Sequence, residues 1–208
     1  MNRILTLAAF ALLAVAAPLR AQMAAQTNLP PIPGVRDYAH WGQVERSYDD
    51  DEASTSVSLT LPFNDRQRDA FVRRGDVTKV ELSAGFVHPG RTMTTYPDIV
   101  TLMLKVTRPT NVALRGDRAG TSDISFTIDA DKPLVVPAPL VARAGADMEN
   151  GRPTSVEDTY VVVLSLSQFL RIVDGTKATA QLHDMRLELT GGPLEGLRDL
   201  ASRIEVAP

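Results

Sequence analysis

The chain has 208 residues, no cysteine, and 22 basic against 25 acidic residues, a formal net charge of −3. Without cysteine it has no disulfide, no Cys-ligated zinc and no thiol nucleophile. A mildly acidic chain with interspersed signs argues against nucleic acid as a partner, and so few aromatic residues offer no stacking platform for sugars or bases.

Met1-Asn2-Arg3 is a short positive segment, followed by an apolar run from Ile4 to Ala17 broken only by Thr6. Small residues at Ala14-Val15-Ala16 and at Leu19-Arg20-Ala21 suit a cleavage site. This layout predicts a signal peptide over residues 1–21. The run is shorter than the ~20 residues a spanning helix needs, so no transmembrane segment is expected after signal cleavage. Export follows, to the bacterial periplasm or beyond it. Losing Arg3 and Arg20 leaves 20 basic residues against 25 acidic ones, a charge near −5. Residues 22–37 hold Pro30, Pro31 and Pro33 before Gly34 and read as a Pro-rich linker. Residues 38–208 then form one domain.

Trp41, the single tryptophan, is expected to plug one end of the core. The acidic run Asp49-Asp50-Asp51-Glu52 lacks the alternating spacing of a calcium loop and reads as a solvated turn. Ser54–Leu61 alternates, with Val57, Leu59 and Leu61 on one face, and predicts a strand ended by Pro62. Asn64–Arg74 is either an irregular bridge or a short helix. In the helical reading Asn64 and Gln67 form a capping box and Gly75 closes the element. Val80–Phe86 is a second strand, His88–Asp98 a loop between Pro89 and Pro97, and Val100–Val106 a third strand. Val112–Leu114 and Ile124–Ile128 follow as strands, and Leu134–Val136 returns the chain. Pro137 and Pro139 demote the next stretch to an edge or an irregular crossing. Ala142–Asp158 reads as an exposed loop.

Tyr160–Leu166 predicts a buried strand, with Ser167 capping a helical turn through Val173. Ala178–Leu182 and Met185–Leu189 predict a hairpin, because a turn at His183-Asp184 puts Leu182 opposite Met185. Pro193 opens a last helix whose stripe is Leu194, Leu197, Leu200, Ala201 and Ile204. The fold class expected is mainly β: an antiparallel β-sandwich of about eight or nine strands, with a short internal helix and a C-terminal amphipathic helix.

No pattern in the chain carries chemistry. His40, His88 and His183 are far apart, with no second histidine at metal-ligand spacing. No serine sits in G-x-S-x-G, no Ser-x-x-Lys occurs, and no phosphate loop is present. Asp129 and Asp131 read as turn residues, and Arg115-Gly116-Asp117 as part of a polar turn. Neither a catalytic residue, a metal nor a cofactor is expected. The binding candidates are His88, Arg91, Tyr96 and Asp98, gathered on a loop stiffened by two prolines.

The chain's end carries Phe169, Leu170 and Ile172, then Leu187–Thr190, then Leu197–Arg203. These segments resemble a recurring tail of small exported bacterial proteins of unknown function. The resemblance covers about 40 residues and implies export and a β-sandwich with a docked terminal helix. It implies no activity. The expected function is a non-enzymatic binding or scaffolding domain with a protein partner in the cell envelope. The alternatives are a hydrolase assembled around the His88–Asp98 loop and a structural component of an envelope assembly.

Overall fold

The computed structural model describes residues 38–73, 77–111 and 122–205. The signal peptide, the linker, the Val112–Leu114 strand, the Arg115-Gly116-Asp117 turn and the Gly75 stop fall outside that range. In chain order the elements begin β1 (Gln43–Asp49), β2 (Ser54–Phe63), α1 (Asp65–Phe71), β3 (Val72–Arg73), β4 (Lys79–Pro89) and β5 (Ile99–Pro109). Next come β6 (Asp123–Ile128), β7 (Leu134–Pro137), β8 (Leu140–Gly145), β9 (Met148–Glu149) and β10 (Arg152–Pro153). The last are β11 (Ser155–Ser165), α2 (Leu166–Asp174), β12 (Ala178–Leu182), β13 (Met185–Leu189) and α3 (Gly192–Ser202).

The protein is mainly β. A six-stranded antiparallel sheet runs β1-β2-β4-β5-β11-β8, a five-stranded one runs β3-β13-β12-β6-β7, and β9 and β10 form a small hairpin. The apolar faces of both larger sheets enter one core. Leu82, Leu102 and Leu104 from the first sheet and Phe126, Leu187 and Leu189 from the second border the same small void.

Alternation explains the central strands. On β2 the inward residues Val57, Leu59, Leu61 and Phe63 are buried, and Ser56, Ser58 and Thr60 between them are not. The strand continues through Pro62, where the sequence predicts its end. Pairing of β1 with β2 stops at Gln43↔Thr60, so no strand lies beside Pro62 on that side to need its missing N–H.

The two edge strands of the six-stranded sheet carry no apolar alternation for a sequence reading to use. The first, β1, has the sequence QVERSYD and pairs along its whole length with β2. The second, β8, is the opposite edge; it starts in the stretch read as an edge or an irregular crossing, where the edge reading holds, and runs on into the expected loop. Each is defined as a strand by its neighbour's backbone, which its pairing follows. The expected loop over Ala142–Asp158 also holds the β9–β10 hairpin and the start of β11, which begins at Ser155. The acidic run is the β1–β2 turn, where Asp49 Oδ1 accepts the amides of Asp51 and Glu52 at 2.9 and 3.1 Å.

Three helices are present among the described residues. Asn64 caps α1 through the reciprocal box with Gln67, so the helical reading holds there. The cap of α2 is Ser165, not Ser167, because Gln168 three residues on completes the box. The β12–β13 hairpin has the expected Leu182↔Met185 register, with His183 at φ 51° in the turn.

Helix α3 packs on β2 and β13, and Leu194, Leu197 and Leu200 are at most 1% exposed. Arg198 ties it to the end of α2, donating to the carbonyls of Val173 (2.9 Å) and Gly175 (2.7 Å). These carbonyls lie at a helix C-terminus, where a cation is favourable.

At the entry to α3, Gly192 sits against Trp41. A Cβ at Gly192 would lie 2.3 Å from the indole Cζ3. Trp41 is itself fixed by an edge contact with Phe63 (5.5 Å between centroids), by Phe71 (5.6 Å) and by donation of its Nε1 proton to the Pro62 carbonyl (2.7 Å). It therefore seals the α3 corner of the core. Gly192→Ala is expected to lower stability by about 1–3 kcal/mol through overpacking. Urea melts of the two proteins check this, and an unchanged midpoint would show that the corner yields freely.

Candidate functional site

The four residues expected to share a binding loop part company. His88 continues the inward face of β4 after Val80, Leu82, Ala84 and Phe86 and is 2% exposed. Its Nδ1 lies 3.0 Å from the Pro89 carbonyl, and since a carbonyl only accepts, that nitrogen carries the proton. Thr55, its register partner, donates to the Gly90 carbonyl (2.6 Å). Arg91 is turned to the β1–β2 turn. Its guanidinium is 2.8 Å from Asp50 and lies 4.0 Å over the Tyr48 ring, and its own carbonyl accepts from Arg46. Tyr96 stands 63% exposed. Asp98 acts through its backbone, taking the Leu166 amide (3.0 Å) at the start of α2.

Exposed apolar side chains stand at this same end of the six-stranded sheet. Ile99 and Val163 are diagonal neighbours on the outer face of β5 and β11, given the Ile99↔Ser165 and Thr101↔Val163 pairs. Val87 lies two residues beyond the Gly85↔Thr101 pair on β4. Val87, Ile99 and Val163 are 40–50% exposed, and Tyr96 precedes Ile99 by three residues.

The opposite end of the sheet is polar on its inner face. The apolar series Val100, Leu102, Leu104, Val106 on β5 ends in Arg108. The series Leu164, Val162, Tyr160 on β11 ends in Asp158. Register places Asp158 opposite both Val106 and Arg143, with Arg108 diagonal to it. Asp158 is 1% exposed, and Arg143 grips it with Nε to Oδ1 at 2.6 Å and Nη2 to Oδ2 at 2.9 Å. Arg108 is 5% exposed and reaches to the β12–β13 turn, where its Nη2 lies 3.4 Å from Asp184 Oδ1. On the same turn His183 stands edge-on to Tyr160 (6.0 Å between centroids), and its Nε2 is 2.9 Å from the Ser122 hydroxyl. Nearby on the rim, a hydrogen bond from the Ser155 hydroxyl, then one from Lys79, holds Asp147 below the usual carboxylate range.

Two further carboxylates tie separate parts of the chain together. His40 Nδ1 accepts the Gly42 amide (3.1 Å), which leaves Nε2 to donate to Asp199 Oδ2 (3.1 Å). Arg203 takes the other oxygen of Asp199 at 2.9 Å, so one carboxylate joins the stretch before β1 to α3. Asp129, at φ 49° just after β6, accepts from Thr176 and Lys177 just before β12; the Thr176 hydroxyl is the main reason its carboxyl lies below the usual range.

Arg108 and Asp158 have a sequence signal, a charge standing at the inward parity of an apolar strand, and reading each strand as ending at its last apolar residue hides it. No family model, curated protein or solved structure matches the chain.

Proposed function

We propose that the chain is an exported bacterial protein, periplasmic or secreted, whose residues 38–208 form an antiparallel β-sandwich acting as a non-enzymatic binding or scaffolding domain. The partner is a protein of the cell envelope. The observation that carries this reading is the apolar group Val87, Ile99 and Val163, exposed on the outer face of three adjacent strands, with Tyr96 at its margin. An apolar outer face rimmed by polar residues is the ordinary mark of a protein contact, and an aromatic beside it is a frequent anchor. The two sheets sharing one core support the sandwich. The loop expected to bind through polar groups contributes Tyr96 instead, because Arg91 is engaged with Asp50 and Tyr48 and His88 faces the core.

The test is recovery of a partner from native envelope extract by the tagged protein and by an Ile99→Glu/Val163→Glu variant. Both positions are exposed, so the variant is expected to melt like the parent. It should recover about tenfold less partner, the loss expected when central contacts are replaced by charges. Equal recovery by both proteins, or none by the parent, would remove the basis of the proposal.

A further inference from the structure

The two inner-face arginines at the polar end use the same edge of the guanidinium in different ways. Arg143 closes its Nε–Nη2 edge on both oxygens of Asp158, at 2.6 and 2.9 Å. This is the two-bond geometry in which a guanidinium matches a carboxylate or phosphate. Arg108 holds the same edge half open. Its Nη2 makes one long contact, 3.4 Å, with Asp184. Its Nε is buried and, among the described residues, has no hydrogen-bond partner.

That arrangement is costly for the fold. The Arg108 side chain is only 7% exposed, while Asp184, which faces it, is 66% exposed. A desolvated cation therefore meets a well-hydrated anion, and one of its donors is unmet. Buried donors are nearly always satisfied, and an orphan on a charged group is among the dearest to keep. The internal carboxylate that would close the edge, Asp158, is already taken by Arg143.

We propose that the Arg108 edge is a binding site for a small oxyanion, the carboxylate or phosphate group of a small molecule. The oxyanion takes Nε and Nη2 together and displaces the Asp184 carboxylate, which swings out to water. The way in is the β12–β13 turn, since that is where the partner of Arg108 is exposed. Ser122 and His183, which meet beside Asp184, border the site and supply a hydroxyl and a ring nitrogen to the rest of the ligand. The site lies on the inner face, at the end of the sheet opposite Val87 and Ile99, and is independent of the protein-contact surface.

The probes are inorganic phosphate and succinate, titrated separately into the full chain at constant ionic strength with chloride as the filler. A ligand that binds only the folded state gives a saturable isotherm in titration calorimetry and raises the melting temperature with the logarithm of its concentration above Kd. We expect one of the two to do so, and which one does so tells phosphate from carboxylate. Asp184→Asn removes the internal competitor and should tighten that binding about threefold or more. Arg108→Lys keeps the charge but loses the two-donor edge, and should abolish saturation. If neither probe gives a saturable isotherm in the parent or in Asp184→Asn, the proposal is overturned. Saturation that survives Arg108→Lys overturns it as well, because the anion then sits elsewhere. Should Arg108→Lys fail to fold, Asp184→Asn decides alone: tighter binding supports the site, and unchanged binding overturns it.

Discussion

Leu197→Ala is expected to cost about 3–5 kcal/mol, and Leu200→Ala about 2–4 kcal/mol. Both side chains are 0% exposed. The two differ in what surrounds them. Leu197 borders a void of ≈ 20 Å³ that already lies between the sheets, beside Leu82, Leu102 and Leu187. Truncation there enlarges an existing hole, and each further Å³ of unfilled core adds about 24 cal/mol to the loss of the buried methyls. Leu200 does not line that void. Helix α3 is also anchored by groups that neither substitution touches: Arg198 on the carbonyls of Val173 and Gly175, and Asp199 between His40 and Arg203. Both variants should therefore fold, with lower midpoints in urea and an unchanged slope. Melting unchanged in both would mean that α3 is not docked, contrary to its contacts with β2 and β13.

The sequence was most legible where side chains and backbone ask for the same thing. The Leu182↔Met185 register could be read because a one-residue slip would turn every apolar residue of that hairpin outward. The stripe of α3 could be read because its buried residues recur at helical spacing. Edge strands β1 and β8 were hidden for the converse reason. The side chains of β1 are mostly polar and those of β8 mostly small or exposed, so neither shows a buried apolar face; what makes them strands is the row of amides and carbonyls on β2 and β11. No local pattern records a neighbour's backbone.

The polar end was hidden by the assumption that an apolar strand stops at its last apolar residue. Arg108, Asp158 and His88 each stand one step past that point, at the parity of the core. The polar residues of the loop from His88 to Asp98 spread apart because closeness in sequence says nothing of direction. His88 points in, Arg91 turns to β1, and Asp98 serves α2 with its carbonyl.

The inner-face ion pair makes an asymmetric prediction. Arg143 is 35% exposed and Asp158 1% exposed, so the two ends of the pair are not equivalent. In Asp158→Ala the arginine loses its partner but already has water at hand, and the cost is expected to be about 1–2 kcal/mol. In Arg143→Ala a carboxylate is left deep in the core with its two strongest bonds removed. Breaking a buried pair from that side costs about 3 kcal/mol or more. The diagonal neighbour Arg108 offers only partial relief, because turning to Asp158 means leaving Asp184. Replacing both residues by apolar ones of similar size, Arg143→Met with Asp158→Leu, should recover most of the loss, since no charge is then left buried. A double-mutant cycle on urea midpoints reads all three quantities. If Asp158→Ala proves as damaging as Arg143→Ala, the pair is holding β8 to β11 by geometry rather than shielding a buried charge. The Arg108 edge would then lose the comparison on which its open state is recognised.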